Sequence, residues 1–177
     1  MTGSLQWFSA LLVLGLLWAC DVETGDEVIE AGTETLAVEK LMQDDLAVEA
    51  LEAGQMAPLE ESQRRVVRES AEFAALWEEM HAHRSTIPER PSVDFEEKVL
   101  VFASLGQRST GGYRVEVTGA RYDEAEATVE VAIRETRPGP TCAVTQALTH
   151  PFVLASVEAV ADAEYVFVEE EPVVEEC

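Results

Sequence analysis

Side chains that commonly carry catalytic or metal-binding chemistry are scarce in this chain of 177 residues. Six residues are histidine or cysteine, namely Cys20, His81, His83, Cys142, His150 and Cys177. His81 and His83 are two positions apart in a segment with helical periodicity, so their side chains point to different faces and do not share a metal ion. The sequence contains no serine-hydrolase elbow, no phosphate-binding loop and no zinc-protease motif. We therefore predict no catalytic residue, no metal site, no cofactor and no small-molecule ligand.

The two later cysteines have more than one chemically reasonable use. In an exported protein Cys142 and Cys177 can form a disulfide, whereas a cysteine at the end of an acidic tail can equally remain a free thiol. Cys142 and His150 would make a nominal thiol–imidazole pair, but no residue is identified that would orient the imidazole. A nucleophilic role is therefore not predicted.

An apolar segment precedes Cys20. Residues 5–19 are almost entirely apolar, and an acidic, polar stretch begins at Asp21. The apolar run is shorter than the roughly 20 residues that a membrane-spanning helix needs, but it has the length of the apolar region of a signal peptide. The chain is therefore predicted to be exported from the cytoplasm.

The end of this segment resembles the lipobox of bacterial lipoproteins. Leu17 and Ala19 occupy the positions three and one before Cys20. The resemblance implies that residues 1–19 are removed, that Cys20 is acylated, and that the mature protein is lipid-anchored on the extracytoplasmic side of a bacterial membrane. Trp18 is larger than the usual residue at its position, and no Lys or Arg precedes the apolar run. An ordinary secretory peptide or an uncleaved anchor is the alternative interpretation.

The chain is strongly and unevenly acidic, with a formal net charge of −23 at pH 7. Residues 21–62 contain thirteen Asp or Glu and one Lys, residues 63–137 contain fourteen acidic and eleven basic residues, and residues 138–177 contain eight acidic residues and no Lys or Arg. Such a charge excludes nucleic acid as a partner, because phosphates are bound by Lys and Arg. Adaptation to high salt would produce the same acidity, and the sequence does not separate it from a functional cause.

Residues 20–63 are predicted to be an acidic, disordered spacer, because they contain too little apolar surface to offset the entropy of ordering. No aromatic residue occurs between Trp18 and Phe73. Within the spacer, residues 36–51 have a weak helical periodicity. The last residues, 170–177, are predicted to be an acidic tail.

A folded domain is predicted for residues 64–169, with one helix near its N-terminus. Ser70 is the expected N-cap of this helix, which is expected to end by about Arg84. Apolar residues recur within it at the spacing of one helical face, at Phe73, Leu76, Trp77 and Met80.

The rest of the predicted domain has the patterns of β-strands. Residues 98–105 are apolar at nearly every position, which predicts a central strand buried on both faces. Apolar and polar residues alternate in 113–118 and 128–134, as expected of strands with one wet face. Shorter strands are expected at 143–148, 152–157 and 165–168. One helix followed by mostly sequential strands predicts an α+β fold, in which the helix packs on a mostly antiparallel, curled sheet or sandwich.

One loop has a composition suited to contact with a partner. It follows the predicted buried strand and consists of Gly106, Gln107, Arg108, Ser109, Thr110, Gly111, Gly112 and Tyr113. Two adjacent glycines permit left-handed backbone and close approach of a partner, and the hydroxyls of Ser109 and Thr110 can bind exposed backbone groups. The side chains of Arg108 and Thr110 are expected to be exposed. The alternative is a turn that needs glycine only for its conformation, which spacing alone favours.

Several stretches of the predicted domain carry a family resemblance. They are Val-Asp-Phe at 93–95, Val-Leu-Val-Phe at 99–102, Leu-Gly-Gln-Arg-Ser-Thr-Gly-Gly-Tyr at 105–113, and Cys-Ala-Val-Thr-Gln-Ala-Leu-Thr-His-Pro-Phe at 142–152. Over roughly residues 64–169, this pattern resembles the C-terminal domain of the protease complex subunit PrcB family. The resemblance implies a non-catalytic protein that assembles or stabilises a cell-surface protease complex.

The expected partner is therefore another exported protein, either a protease or its client, and the membrane is contacted through the lipid anchor. The run at 110–113 is also distantly similar to the Thr-Thr-Gly-Tyr loop of chagasin-like inhibitors of cysteine proteases. The Arg-Pro-Trp run of those inhibitors is missing from this chain. A protease inhibitor that uses residues 106–113 is the alternative function, and an enzyme has no support in the sequence.

Overall fold

A computed structural model of the protein describes residues 43–177, and this range contains one helix and nine strands. The helix, α1, spans Ser70–His81. The strands are β1 (Gln43–Leu46), β2 (Val48–Gly54), β3 (Gln63–Val67), β4 (Lys98–Ser104), β5 (Arg114–Asp123), β6 (Thr128–Pro138), β7 (Phe152–Glu158), β8 (Glu164–Glu169) and β9 (Val173–Glu175). The predicted leader, Cys20 and the first part of the predicted spacer lie outside the described residues.

The strands form two sheets that pack face to face. The outer sheet has the order β1–β5–β6–β8, with β9 pairing the far part of β6, and the central sheet has the order β2–β7–β4–β3. All pairs are antiparallel except β6–β8 and β6–β9. Helix α1 covers the other face of the central sheet, so the described chain has three layers. The fold is α+β, as predicted.

The position of the helix in the chain differs from the prediction. Three described strands precede α1, so it is not the first element of the folded part. The helix ends at His81, in agreement with the expected end by about Arg84. Its N-cap is Glu69, not Ser70, and the Glu69 side chain makes no capping hydrogen bond. Instead, the Glu72 carboxylate accepts a hydrogen bond from the backbone N–H of Arg68 at 3.1 Å.

The apolar face of the helix is the one that its spacing predicts. The large apolar side chains of the helix are at most 6% exposed, and they pack on Leu100, Phe102 and Leu154 of the central sheet. The helix residues concerned are Phe73, Leu76, Trp77 and Met80. The opposite face of the same sheet packs against the outer sheet through Val99, Val101, Val131 and Ile133, among others. Strand β4 is therefore covered on both faces, which explains its continuous apolar sequence.

The predicted disordered spacer is wrong for residues 43–54, which we call the N-terminal strap. Strand β1 pairs with β5 in the outer sheet, and β2 pairs with β7 in the central sheet, so the strap joins the two sheets along one side. Leu46, Val48 and Leu51 are partly buried against the two cores. The strap is ordered because it adds to existing sheet edges, where backbone hydrogen bonds compensate for its small apolar content.

A buried histidine connects the strap to the helix. The His81 side chain is 1% exposed, and its Nδ1 donates a hydrogen bond to the backbone oxygen of Trp77 at 2.8 Å. Its Nε2 lies 3.1 Å from Oε1 of Glu52 in β2. His81 therefore has a packing role in this fold.

The C-terminal residues are also more ordered than expected. Strand β9 pairs with the end of β6, within residues predicted to be an acidic tail. Cys142 and Cys177 form a disulfide, with their Cα atoms 5.0 Å apart, and this bond attaches the end of the chain to the segment before β7. Residues 143–148, predicted as a strand, form no strand and cross the end of the sandwich as an irregular segment. Within the described range, no helix has the length and apolar character needed to cross a membrane.

Candidate functional site

Residues 106–113 connect β4 to β5 at one end of the sandwich. Gly106 lies two residues after the end of β4, and its backbone has a left-handed conformation, with φ of +71°. A Cβ atom at this position would lie 2.7 Å from both the backbone oxygen of Glu60 and the backbone nitrogen of Ser62. The next residue, Gln107, donates its N–H to Glu60 O at 2.9 Å. Glycine is required here because the chain itself approaches closely.

The other two glycines of the loop approach the crossing segment, which we define as residues 142–150. Gly111 donates its N–H to Thr145 O at 3.0 Å, and a Cβ on Gly111 would collide with the Thr145 hydroxyl. Gly112 has a φ of +89°, and a Cβ there would lie 3.0 Å from Cγ1 of Val144. The close approach that the glycines permit is thus made by the protein's own backbone and side chains.

Further backbone hydrogen bonds fix the loop to the crossing segment. Arg108 and Thr149 exchange two of them, from Arg108 N–H to Thr149 O at 2.8 Å and from Thr149 N–H to Arg108 O at 3.0 Å. The Thr149 hydroxyl donates to the backbone oxygen of Thr110 at 2.8 Å. The loop and the crossing segment form one rigid unit, which we call the loop end.

Arg108 is partly buried, contrary to the expectation of an exposed side chain. Its Nη1 donates to the backbone oxygen of Leu105 at 2.6 Å, and its guanidinium carbon lies 5.6 Å from the centre of the Tyr113 ring. Its Nη2 lies 3.6 Å from Oε1 of Glu135 on β6. Thr110 is also only partly exposed.

Glu135 is the charged group at the base of the loop end. Its side chain is 14% exposed and is contacted by two guanidinium groups, those of Arg108 and Arg137. Burial alone would raise the pKa of Glu135, but hydrogen bonds and charge interactions with Arg137 and Arg108 outweigh it and hold that pKa below its ordinary value. The carboxylate is therefore ionised at neutral pH and stabilises the loop end instead of acting as a proton donor.

The loop end carries both polar and apolar exposed side chains. Gln107 and Ser109 are the exposed residues of the loop. Leu148, 57% exposed, precedes Thr149 in the crossing segment, and Met56, 53% exposed, bridges to His150 of that segment. We call Met56, Gln107, Ser109 and Leu148 the loop-end surface. Large apolar side chains standing exposed on a rigid base are a common feature of protein-binding surfaces.

Sequence reasoning identified half of this surface and missed the rest. The crossing segment was recognised as part of the family resemblance, but nothing in its composition shows that it packs against residues 106–113. Glu135 had a detectable signal, because it continues the inward-facing positions of Val131 and Ile133 on β6. An acidic residue at a core-facing position needs a partner, and here the partners are arginines. Met56 lies in the predicted spacer, where no site was expected.

The described residues contain no group of three or more His, Cys, Asp or Glu side chains placed to bind a metal ion. His81 is buried beneath the strap. His150 is the residue after Thr149, which pairs with Arg108 at the loop end. Cys142 is bonded to Cys177 and is not a free thiol next to His150.

One comparison with known proteins finds a match to a family model over part of the chain. The family model of the PrcB C-terminal domain matches residues 99–158, which confirms the resemblance over that range. No curated protein and no solved structure matches the chain. The matched residues run from β4 through β7 and include both the loop and the crossing segment.

Proposed function

We propose that this protein is a non-catalytic accessory subunit that binds an exported protease, or the client of that protease, through its loop-end surface. The observation that carries the proposal is the match of residues 99–158 to the PrcB C-terminal domain. That family contributes subunits to protease complexes, and the matched range contains the two segments that build the loop end.

The geometry of the loop end supports a binding role. Arg108, Thr110 and Thr149 are held by hydrogen bonds within the chain, so the surface is already ordered before a partner arrives. A rigid surface loses little conformational entropy on binding. Leu148 and Met56 supply apolar area, while Gln107 and Ser109 supply hydrogen-bonding groups beside it.

The proposal includes the location of the subunit. The resemblance of residues 17–20 to a lipobox supports acylation of Cys20 and attachment to the outer side of a bacterial membrane. Residues 21–42 would then separate the anchor from the strap. Their seven acidic residues and single lysine favour an extended connection, because like charges repel.

The alternative, an inhibitor that inserts residues 106–113 into a protease cleft, requires a protruding loop. Gly106 and Gly111 are buried, and the loop is bound along its length to residues 60–62 and 142–150. The geometry therefore favours a flat contact over insertion, and protease activity in the complex distinguishes the two.

The test uses the full-length protein with an affinity tag, expressed in its host, followed by crosslinking and identification of exported proteases in the purified complex. Leu148→Asp should reduce recovery of the protease about tenfold, since it places a charge in an apolar contact. Ile87→Asp is the matched control, because Ile87 is 45% exposed and lies beside α1, next to Pro88, whose backbone oxygen accepts a hydrogen bond from Trp77.

Three outcomes decide the proposal. Recovery of an active protease with wild type and Ile87→Asp, but not with Leu148→Asp, supports an accessory subunit that uses the loop end. Loss of proteolytic activity in the complex supports the inhibitor instead. Equal recovery with both variants moves the contact away from the loop end.

A further inference from the structure

The last strands of the chain leave one side of the outer sheet open. Glu164 donates its N–H to Ala127 O at 3.0 Å, and Glu170 donates its N–H to Ile133 O at 2.8 Å. In a parallel pair the residues that bond to a neighbour alternate with residues whose N–H and C=O point the other way. The backbone groups of residues 165, 167 and 169 therefore point away from β6, and among the described residues no strand pairs with β8 on that side.

Exposed valines are concentrated on the same strands. Four of the seven exposed large hydrophobic residues within the described range belong to β8 and β9: Val166, Val168, Val173 and Val174. Val166 and Val168 are each 42% exposed and are two residues apart, so they lie on one face of β8. An open edge with apolar side chains is a template for pairing with another strand, which soluble proteins usually protect.

The charge of this edge selects the kind of strand that can pair. Residues 164–176 contain six glutamates and no Lys, Arg or His. Arginines elsewhere in the domain contact Glu169, Glu170 and Glu175. The other three glutamates form no ion pair within residues 43–177; they are Glu164, Glu171 and Glu176. A second copy of this edge would bring glutamate against glutamate, and residues 21–42 carry seven acidic residues, so both are disfavoured occupants.

We infer that β8 binds an extended segment of another exported protein that is apolar at its centre and basic at both ends. The segment adds a strand to the outer sheet beside β8, with its backbone bonded to residues 165, 167 and 169. Its central apolar side chains pack on Val166 and Val168, and its terminal Lys or Arg side chains lie near Glu164, on the valine face of β8, and near Glu171, just after the strand. This surface is separate from the loop end and goes beyond the proposed function.

The neighbouring structure limits the length of the added strand. Arg68 donates to the backbone oxygen of Ala163 at 3.1 Å, just before β8 begins. Pro172, which has no N–H, separates β8 from β9. The disulfide between Cys142 and Cys177 holds the chain end beyond β9. The available edge is therefore β8 itself, which is held in place before the partner binds.

The experiment measures binding of a fluorescent octapeptide, with two lysines at each end and four valines between them, to the full-length protein by anisotropy. The same peptide with one central valine replaced by proline tests for strand pairing, and the same peptide with glutamate in place of each lysine tests for charge. The lysine peptide with all four valines should bind about tenfold more tightly than either. Equal binding of the proline peptide would reduce the interaction to charge attraction alone and overturn the inference.

Two further measurements locate the bound peptide. Val168→Lys should weaken binding about tenfold, while Ile87→Lys, with the same charge change at a similarly exposed residue, should leave it unchanged. On the wild-type protein, the amides of residues 165, 167 and 169 should become protected from hydrogen exchange when the peptide binds, and protection confined to other strands would contradict the inference. Because the probe is a peptide, failure here leaves the loop-end proposal standing, and failure to capture a protease leaves this one standing.

Discussion

The loop end and the N-terminal strap are both fixed by backbone hydrogen bonds, but their stability has different sources. At the loop end, a carbon atom added to Gly106 would overlap the backbone of residues 60–62, and one added to Gly111 would overlap the Thr145 hydroxyl. The strap makes ordinary strand pairs and buries only parts of Leu46, Val48 and Leu51. Stability at the loop end thus depends on single atoms, while stability at the strap depends on the total length that is paired.

The sharpest test of this difference is Gly106→Ala. The left-handed backbone costs a non-glycine residue roughly 1–2 kcal/mol, and the overlap with Glu60 and Ser62 adds about 1–3 kcal/mol, so the free energy of unfolding should fall by about 4 kcal/mol. Chemical denaturation monitored by tryptophan fluorescence measures the change.

Gly119→Ala is the control for that experiment. Gly119 lies in β5, has no left-handed φ, and a Cβ there meets no atom within 4 Å. Its stability should change by less than about 0.5 kcal/mol. If Gly106→Ala and Gly119→Ala unfold alike, the loop end is not the tightly packed unit described above.

Removal of the strap should have a smaller effect. A chain that begins at Gln55 loses three half-buried apolar side chains, each worth roughly 1 kcal/mol, and regains some chain entropy, so its unfolding free energy should fall by about 2 kcal/mol. Amides of β7, the partner of β2, should exchange faster in the shortened chain. A chain that begins at Gln43 keeps the strap and should unfold like the full-length protein, whereas equal stability of both shortened chains would mean that the strap contributes nothing.

The smallest expected effect is the pH dependence that Glu135 contributes to the loop end. The pKa of Glu135 is lowered in the folded state, so its contribution is fully present above its ordinary pKa of 4.5 and is lost as the pH falls through the lower folded-state value. Glu135→Gln should therefore lower stability by less than about 1 kcal/mol at pH 7, since solvent still screens the group, and should have less effect near pH 3. A deficit that stays constant from pH 7 to pH 3 would assign the effect to packing.

Elements with a strong pattern of their own could be predicted from sequence. The stripe from Phe73 to Met80 predicted α1, and the continuous apolar run of residues 98–105 predicted β4 with both faces covered. Strands β5, β6, β7 and β8 were also expected close to where they lie. In each case the side chains that the element buries repeat with its own period, so the signal is local.

The elements that were missed take their stability from a neighbour. Strands β1, β2 and β9 have acidic, weakly apolar sequences and are ordered because a sheet edge is available to them. The predicted strand at 143–148 does not form, since the segment pairs with no sheet edge and its Leu148 side chain stays 57% exposed. Edge pairing depends on which backbone groups remain free after the core has formed, and a linear sequence does not contain that information.

The sequence by itself determined the composition of the core, the helix, the central strands and the need for glycine after β4. It also carried the resemblance to the PrcB C-terminal domain, which the family match over residues 99–158 confirms. Only the tertiary structure decided what the glycines approach, where Arg108 and Glu135 meet, and that Cys142 reaches Cys177. The reason is physical: periodic burial is a property of neighbouring residues in the chain, whereas contacts between distant segments depend on how the two sheets stack and which edges they leave open.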